Sequence, residues 1–161
     1  MVVKVRTRKR RPEPLQAYFA YGSNLHMEQM AARCRDSAPV DRATLPGHRL
    51  TFRRVADIVP AEGHEVSGAV YMVSAQDTKA LDRYEGYPHL YTRRMVLVRL
   101  GDGRIIEAFV YVMKPSYRFE PPGYYYLRTI VEGYLHWGLD IGPLHEAITH
   151  SKKKGGAQRV G

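Results

Sequence analysis

The sequence predicts an α+β fold: a small, mostly antiparallel β-barrel of about six strands with α-helices packed outside it. Three observations lead there. Strand-like runs do not alternate regularly with helical ones, which argues against a doubly wound parallel sheet. Several runs are joined by short Gly- or Pro-containing connections of the hairpin kind. The helical stretches are few and carry their own start and stop signals. A chain of 161 residues is long enough for one domain with its own core. Residues 15–150 are expected to form that domain.

Each element has a local reason. Residues 17–22, within "YFAYGSNL", form a strand that stops at Gly22. Residues 26–34, "HMEQMAARC", form a short helix with Met27, Met30 and Ala31 on one side. "ATLPGHRLTFRR" reads as a bent strand whose Pro46-Gly47 marks a turn or irregular edge. "DIVPAEGHEVSGAVYMV" reads as two strands separated by an exposed loop at Glu62-Gly63. Ser74 is placed to cap a helix, and Asp77, three residues on, completes a capping-box-like start. That helix should stop at Gly86, where a left-handed residue is easily accommodated, and Pro88 prevents its continuation. "LYTRRMVLVRL" and "RIIEAFVYVM" flank "GDG" and form a hairpin. Pro121, Pro122 and Gly123 precede a tyrosine-rich helix over 124–137, and a short last helix follows Pro143.

The formal charge of +9 is not spread evenly. Residues 1–15 and 151–161 together hold ten basic side chains against the single acid Glu13, while residues 16–150 hold equal numbers of each sign. Residues 1–14 and 151–161 therefore read as basic, disordered tails. Basic tails attract nucleic acid or anionic membrane weakly and without specificity. The balanced body offers no basic stripe, so no specific nucleic-acid partner is expected. No apolar run reaches the length of a membrane span, and the basic N-terminus lacks the apolar segment of a secretory signal. The single cysteine, Cys34, permits no internal disulfide, which fits a reducing, cytoplasmic setting. A monomer or a homodimer is expected.

Several chemistries are missing from the sequence. It contains neither a Walker-type phosphate loop nor a Rossmann glycine triplet. His145 and His150 are five apart, the wrong spacing for one helical face, and Cys34 has no cysteine companion, so no metal site is expected. Ser23 lacks a full nucleophile-elbow context, and Cys34 has no identifiable base.

Two stretches remain. The first is the turn Gly22-Ser23-Asn24. Read locally, it is either a plain capped strand-to-helix connection or a cradle whose free N–H groups hold an anion. The second is "LDRYEGYP". Glu85 stands at the helix end, where negative charge opposes the helix dipole. It is either an exposed accident or a buried carboxyl. Burial would raise its pKa and fit it for proton transfer near neutral pH.

Taken together, "YFAYGSNL", "ALDRYEGYPHLYTRR" and "PPGYYYLRTIVEG" resemble the γ-glutamylcyclotransferase family, in matching order over about residues 17–150. The resemblance implies a small β-barrel with flanking helices. It also implies release of 5-oxoproline from a γ-glutamyl amine or amino acid, without a cofactor. Glu85 is implied as the catalytic acid/base. Tyr18, Tyr21, Gly22, Ser23, Asn24 and Leu25 are implied as substrate binders. A further tyrosine after the Pro-Pro break belongs to the implied pocket; counting back from Gly133 points to Tyr126, with Tyr124 and Tyr125 adjacent. The turn is unlike the Gly-Ser-Leu pattern of the glutathione-specific subfamily, and "YTRR" is similar to the γ-glutamylamine branch. His89 is expected to be a loop residue without a catalytic part. Two rivals are kept: a non-catalytic member of the fold that binds a small metabolite, and a nucleic-acid-associated protein acting through its tails.

Overall fold

The structure, a computed structural model, describes residues 13–161. Five strands close into a barrel in the order β1-β3-β2-β4-β5: β1 (Gln16–Ala20), β2 (Ala38–Arg53), β3 (Val55–Val73), β4 (Tyr91–Leu100) and β5 (Ile105–Met113). Every pairing is antiparallel except the closing one, where Tyr18 of β1 meets Phe109 of β5 in parallel. The helices are α1 (Met27–Arg33), α2 (Ala75–Glu85), α3 (Tyr124–Trp137) and α4 (Gly142–Arg159).

The count of five rather than six has a clear cause. The two strands expected on either side of Glu62-Gly63 are one strand, β3, which runs beside β2 from Arg53↔Val55 to Ala38↔Met72. The exposed residues around Gly63 are absorbed as an irregularity opposite Pro46 and His48, where the register shifts. Gly47 and Gly63 both have positive φ, 74° and 75°. Without a Cβ they take this conformation at little cost, so both strands kink and then continue.

The barrel interior is apolar and aromatic: Phe19, Phe52, Ile58, Val70, Val98 and Val110 are fully or almost fully buried. Helix α2 starts with the expected capping box: the Ser74 hydroxyl accepts from Asp77 N–H and the Asp77 carboxylate from Ser74 N–H. It ends on Gly86 at φ 65°. Ser74→Ala is expected to cost about 1 kcal/mol, read as a lower midpoint in urea with an unchanged slope.

The C-terminal end departs from expectation. Residues 151–161 are not a disordered tail: α4 continues to Arg159, well past the expected boundary at residue 150. Leu144, Ala147, Ser151 and Gly155 are buried at spacings of three and four, an inward stripe on one helical face. A Cβ at Gly155 would collide with the Phe119 carbonyl oxygen, so only glycine lets the helix lie this close. The lysines beside this stripe hid it in the sequence. Residues 1–12, most of the basic N-terminal tail, lie outside the described residues. No helix among the described residues is long and apolar enough to cross a membrane.

Candidate active site

The chain leaves β1 at Ala20 and turns sharply. Ser23–Leu25 form one turn of 3-10 helix, closed by Leu25 N–H to Gly22 O at 3.1 Å and His26 N–H to Ser23 O at 3.1 Å. The α-helix begins at Met27, one residue after the expected start at residue 26. Among the described residues, no protein group accepts from the N–H of Gly22, Ser23 or Asn24. The turn therefore has unspent donors, even though Ser23 and Asn24 are buried.

Helix α3 sets the height of this turn. A Cβ at Gly133 would lie 2.7 Å from Leu25 Cβ and 2.8 Å from His26 N, so the helix backbone presses on the turn with no side chain between. Trp137 Nε1 donates to Leu25 O at 3.0 Å, and the His136 imidazole accepts from Met27 N–H at 3.1 Å. Leu25, expected to touch substrate, is instead fully buried and outside the pocket wall. Its apolar side chain anchors the turn to the core.

Glu85 is the last residue of α2. It faces a small cavity whose wall includes Tyr18, Tyr21, Gly22, Ser23, Asn24 and Tyr126. Segments some sixty residues apart thus meet: Asn24 Nδ2 donates to Glu85 Oε1 at 3.3 Å and to the Tyr18 hydroxyl at 3.0 Å. Arg33 donates to Asn24 Oδ1, which fixes the orientation of the amide and leaves both N–H bonds for Tyr18 and Glu85. The Arg33 guanidinium also stacks on the Tyr84 ring at 3.4 Å, and the Tyr84 hydroxyl lies 2.7 Å from Ser23 Oγ. Burial raises the Glu85 pKa from 4.5 to about 7, with the Arg33 charge pulling the other way. Such a carboxyl exchanges protons readily near neutrality.

Of the three consecutive tyrosines, Tyr126 faces the cavity, and its hydroxyl accepts from Ala56 N–H at 2.9 Å. Tyr124 and Tyr125 are 72% and 80% exposed. The wall also holds Ala56, Tyr91 and Tyr111, which the sequence did not single out. Tyr91 lies within the "LYTRR" run and Tyr111 within a strand, where a tyrosine reads as ordinary core. His89 is exposed and is not part of the wall. The buried Cys34 thiol is pushed up to about 12 by burial, so it stays protonated and unreactive.

The described geometry has counterparts among known proteins. The family model described as gamma-glutamyl cyclotransferase, AIG2-like, matches residues 18–132. The human protein named gamma-glutamylcyclotransferase is 30% identical over 137 residues, covering 77% of this chain and 72% of that one. The rat gamma-glutamylaminecyclotransferase is 34% identical over 73 residues, covering 39% of this chain and 49% of that one. A solved structure of a gamma-glutamyl cyclotransferase superposes with a TM-score of 0.72 at 27% identity, covering 86% of this chain and 85% of its own. An AIG2-like protein from Mus musculus shares the fold at a TM-score of 0.57 and 23% identity, covering 68% of this chain and 86% of its own. With the family model matching well over half of its length and the human relative 30% identical over most of both chains, the chain belongs to the AIG2-like gamma-glutamyl cyclotransferase family.

Proposed function

We propose that this protein releases 5-oxoproline from a γ-glutamyl amine or γ-glutamyl amino acid, with Glu85 as general acid and base. The supporting observation is the convergence of a carboxyl of raised pKa and a turn with unspent N–H donors on one small cavity, 3.3 Å apart at the Asn24–Glu85 contact. A metabolite-binding role without catalysis would leave Glu85 facing solvent; its place in the cavity wall favours chemistry.

The substrate carries its own nucleophile. Glu85 takes a proton from the α-ammonium, and the freed lone pair attacks the γ-carbonyl carbon. The new C–N bond closes a five-membered ring, and the carbonyl π pair moves to oxygen. Turn N–H groups facing that oxygen stabilise its charge; one such donor is worth about 2.7–4 kcal/mol in other enzymes. Glu85 returns its proton to the departing nitrogen as the original C–N bond breaks and the carbonyl re-forms. The ring nitrogen then gives its extra proton to the same carboxylate and leaves as a lactam. Holding the substrate folded supplies up to about 7–11 kcal/mol, because ring closure is intramolecular.

The direct test incubates the purified protein with a panel of γ-glutamyl amino acids and γ-glutamyl amines, reading 5-oxoproline by mass spectrometry. No release from any member of the panel would sink the proposal. A second prediction concerns Arg33. Its charge holds the Glu85 pKa below the value that burial alone would set. In Arg33→Met the acidic limb of the kcat/KM profile is therefore expected to move upward from about pH 7, with turnover at pH 7 falling several-fold. An unmoved limb would show that Arg33 does not act on Glu85.

A further inference from the structure

The tyrosines of the cavity differ in what their hydroxyls still have to give. Tyr21 donates its O–H to the Tyr111 carbonyl at 2.6 Å, and Tyr91 donates to the Ala56 carbonyl at 2.6 Å. A backbone carbonyl cannot donate, so both directions are fixed. Each phenol has spent its one hydrogen and keeps only acceptor lone pairs. Tyr126 is the reverse. Its oxygen accepts from Ala56 N–H, so its own hydrogen is left for an acceptor, either the Ser23 hydroxyl beside it or a substrate oxygen. Ala56 thus sets two phenols to opposite polarity, one through each of its peptide groups.

We propose that Tyr21 and Tyr91, together with the Glu85 carboxylate, form an acceptor site for the α-ammonium of the substrate. This rests on the reaction proposed above. An ammonium has three N–H donors, and three oxygens that accept without competing to donate line one cavity. Burial and the neighbouring Glu85 charge hold both phenols protonated, so the wall presents neutral acceptors and one carboxylate. The arrangement also directs the chemistry. Glu85 removes one proton, while the other two N–H bonds stay on Tyr21 and Tyr91. The new lone pair takes the place of the proton that Glu85 removes, the fourth position on nitrogen being the bond to Cα, so the γ-carbonyl must be held on the Glu85 side of the amine. Tyr126 supplies a donor of the kind that a substrate carboxylate or carbonyl requires.

The test compares L-glutamate with glutarate, which has the same two carboxylates and no amine. Binding of each is followed by NMR titration in wild type, Tyr21→Phe, Tyr91→Phe and Tyr126→Phe, with thermal unfolding as the check on folding. Wild type is expected to prefer L-glutamate. Tyr21→Phe and Tyr91→Phe should each lower L-glutamate affinity about tenfold and leave glutarate nearly unchanged. Tyr126→Phe should weaken both ligands alike. Wild type that takes both ligands equally, or takes neither, overturns the proposal even if both phenylalanine variants unfold. So does a fall in both ligands together in Tyr21→Phe and Tyr91→Phe. The panel assay separates the two ideas: 5-oxoproline release without a preference for L-glutamate removes this site alone. A preference for L-glutamate without release removes the reaction and keeps the site.

Discussion

Glu85→Gln is expected to lower 5-oxoproline release by about 10²–10⁴-fold while the protein stays folded. The amide keeps the size and the acceptor oxygen that Asn24 meets, but it neither takes nor returns a proton. The stability prediction has the opposite sign. The folded-state pKa of Glu85 is about 7, against an ordinary 4.5. The folded protein therefore binds more protons than the unfolded chain between these values. This group's contribution to stability is fully present below pH 4.5 and is lost as the pH rises through 7. The neutral glutamine has no such loss. Glu85→Gln should thus match wild type in Tm near pH 4 and exceed it at pH 8. A purified variant that retains turnover would remove the acid/base role. A variant less stable than wild type at pH 8 would show that the carboxylate is better solvated than its place in the wall implies.

Gly133→Ala should harm activity far more than stability. The added methyl would meet Leu25 Cβ at 2.7 Å and His26 N at 2.8 Å. Neither neighbour is the free end of a flexible side chain, so helix or turn must shift. Overpacking of this kind costs about 1–3 kcal/mol, and alanine returns about 1 kcal/mol of helix propensity relative to glycine. The net loss of stability is therefore expected between zero and about 2 kcal/mol. In the proposed reaction the turn carries the donors that face substrate, and a displacement of about 1 Å at such groups can cost on the order of 10²-fold in rate. The expected signature is a fall of that order in kcat/KM with a modest change in urea midpoint. Gly156→Ala, where an added Cβ meets nothing within 4 Å, controls for the propensity change. Unaltered kinetics in Gly133→Ala would mean that the position of the turn does not matter for turnover.

The sequence made some of this legible and hid the rest for physical reasons. Caps and stops are local chemistry, so Ser74, Asp77 and Gly86 marked α2, and Pro122-Gly123 marked the start of α3 at Tyr124. The turn and Glu85 stood out because each is costly or unusual for its place. Tyr91, Tyr111 and Ala56 did not, because a strand tyrosine or alanine looks alike whether it fills a core or lines a cavity. Only closure of the barrel brings these strands around α2. The fifth-or-sixth-strand question turned on Gly47 and Gly63, which both fall where the β2–β3 register shifts, an irregularity that no local window contains. The end of α4 was masked by its own lysines: charge read as a tail concealed the small residues beneath.

Position 56 has a practical consequence for mutagenesis. Scans that cut side chains back to alanine skip this residue altogether, since there is nothing to remove. Yet its two peptide groups decide which neighbouring phenol gives a hydrogen bond and which receives one. Recognition written into the main chain tolerates many replacements of the side chain and is undone by changes such as proline or an ester linkage, which delete a donor from the backbone itself. Libraries aimed at altered selectivity will find it silent unless they reach the chain's own amides.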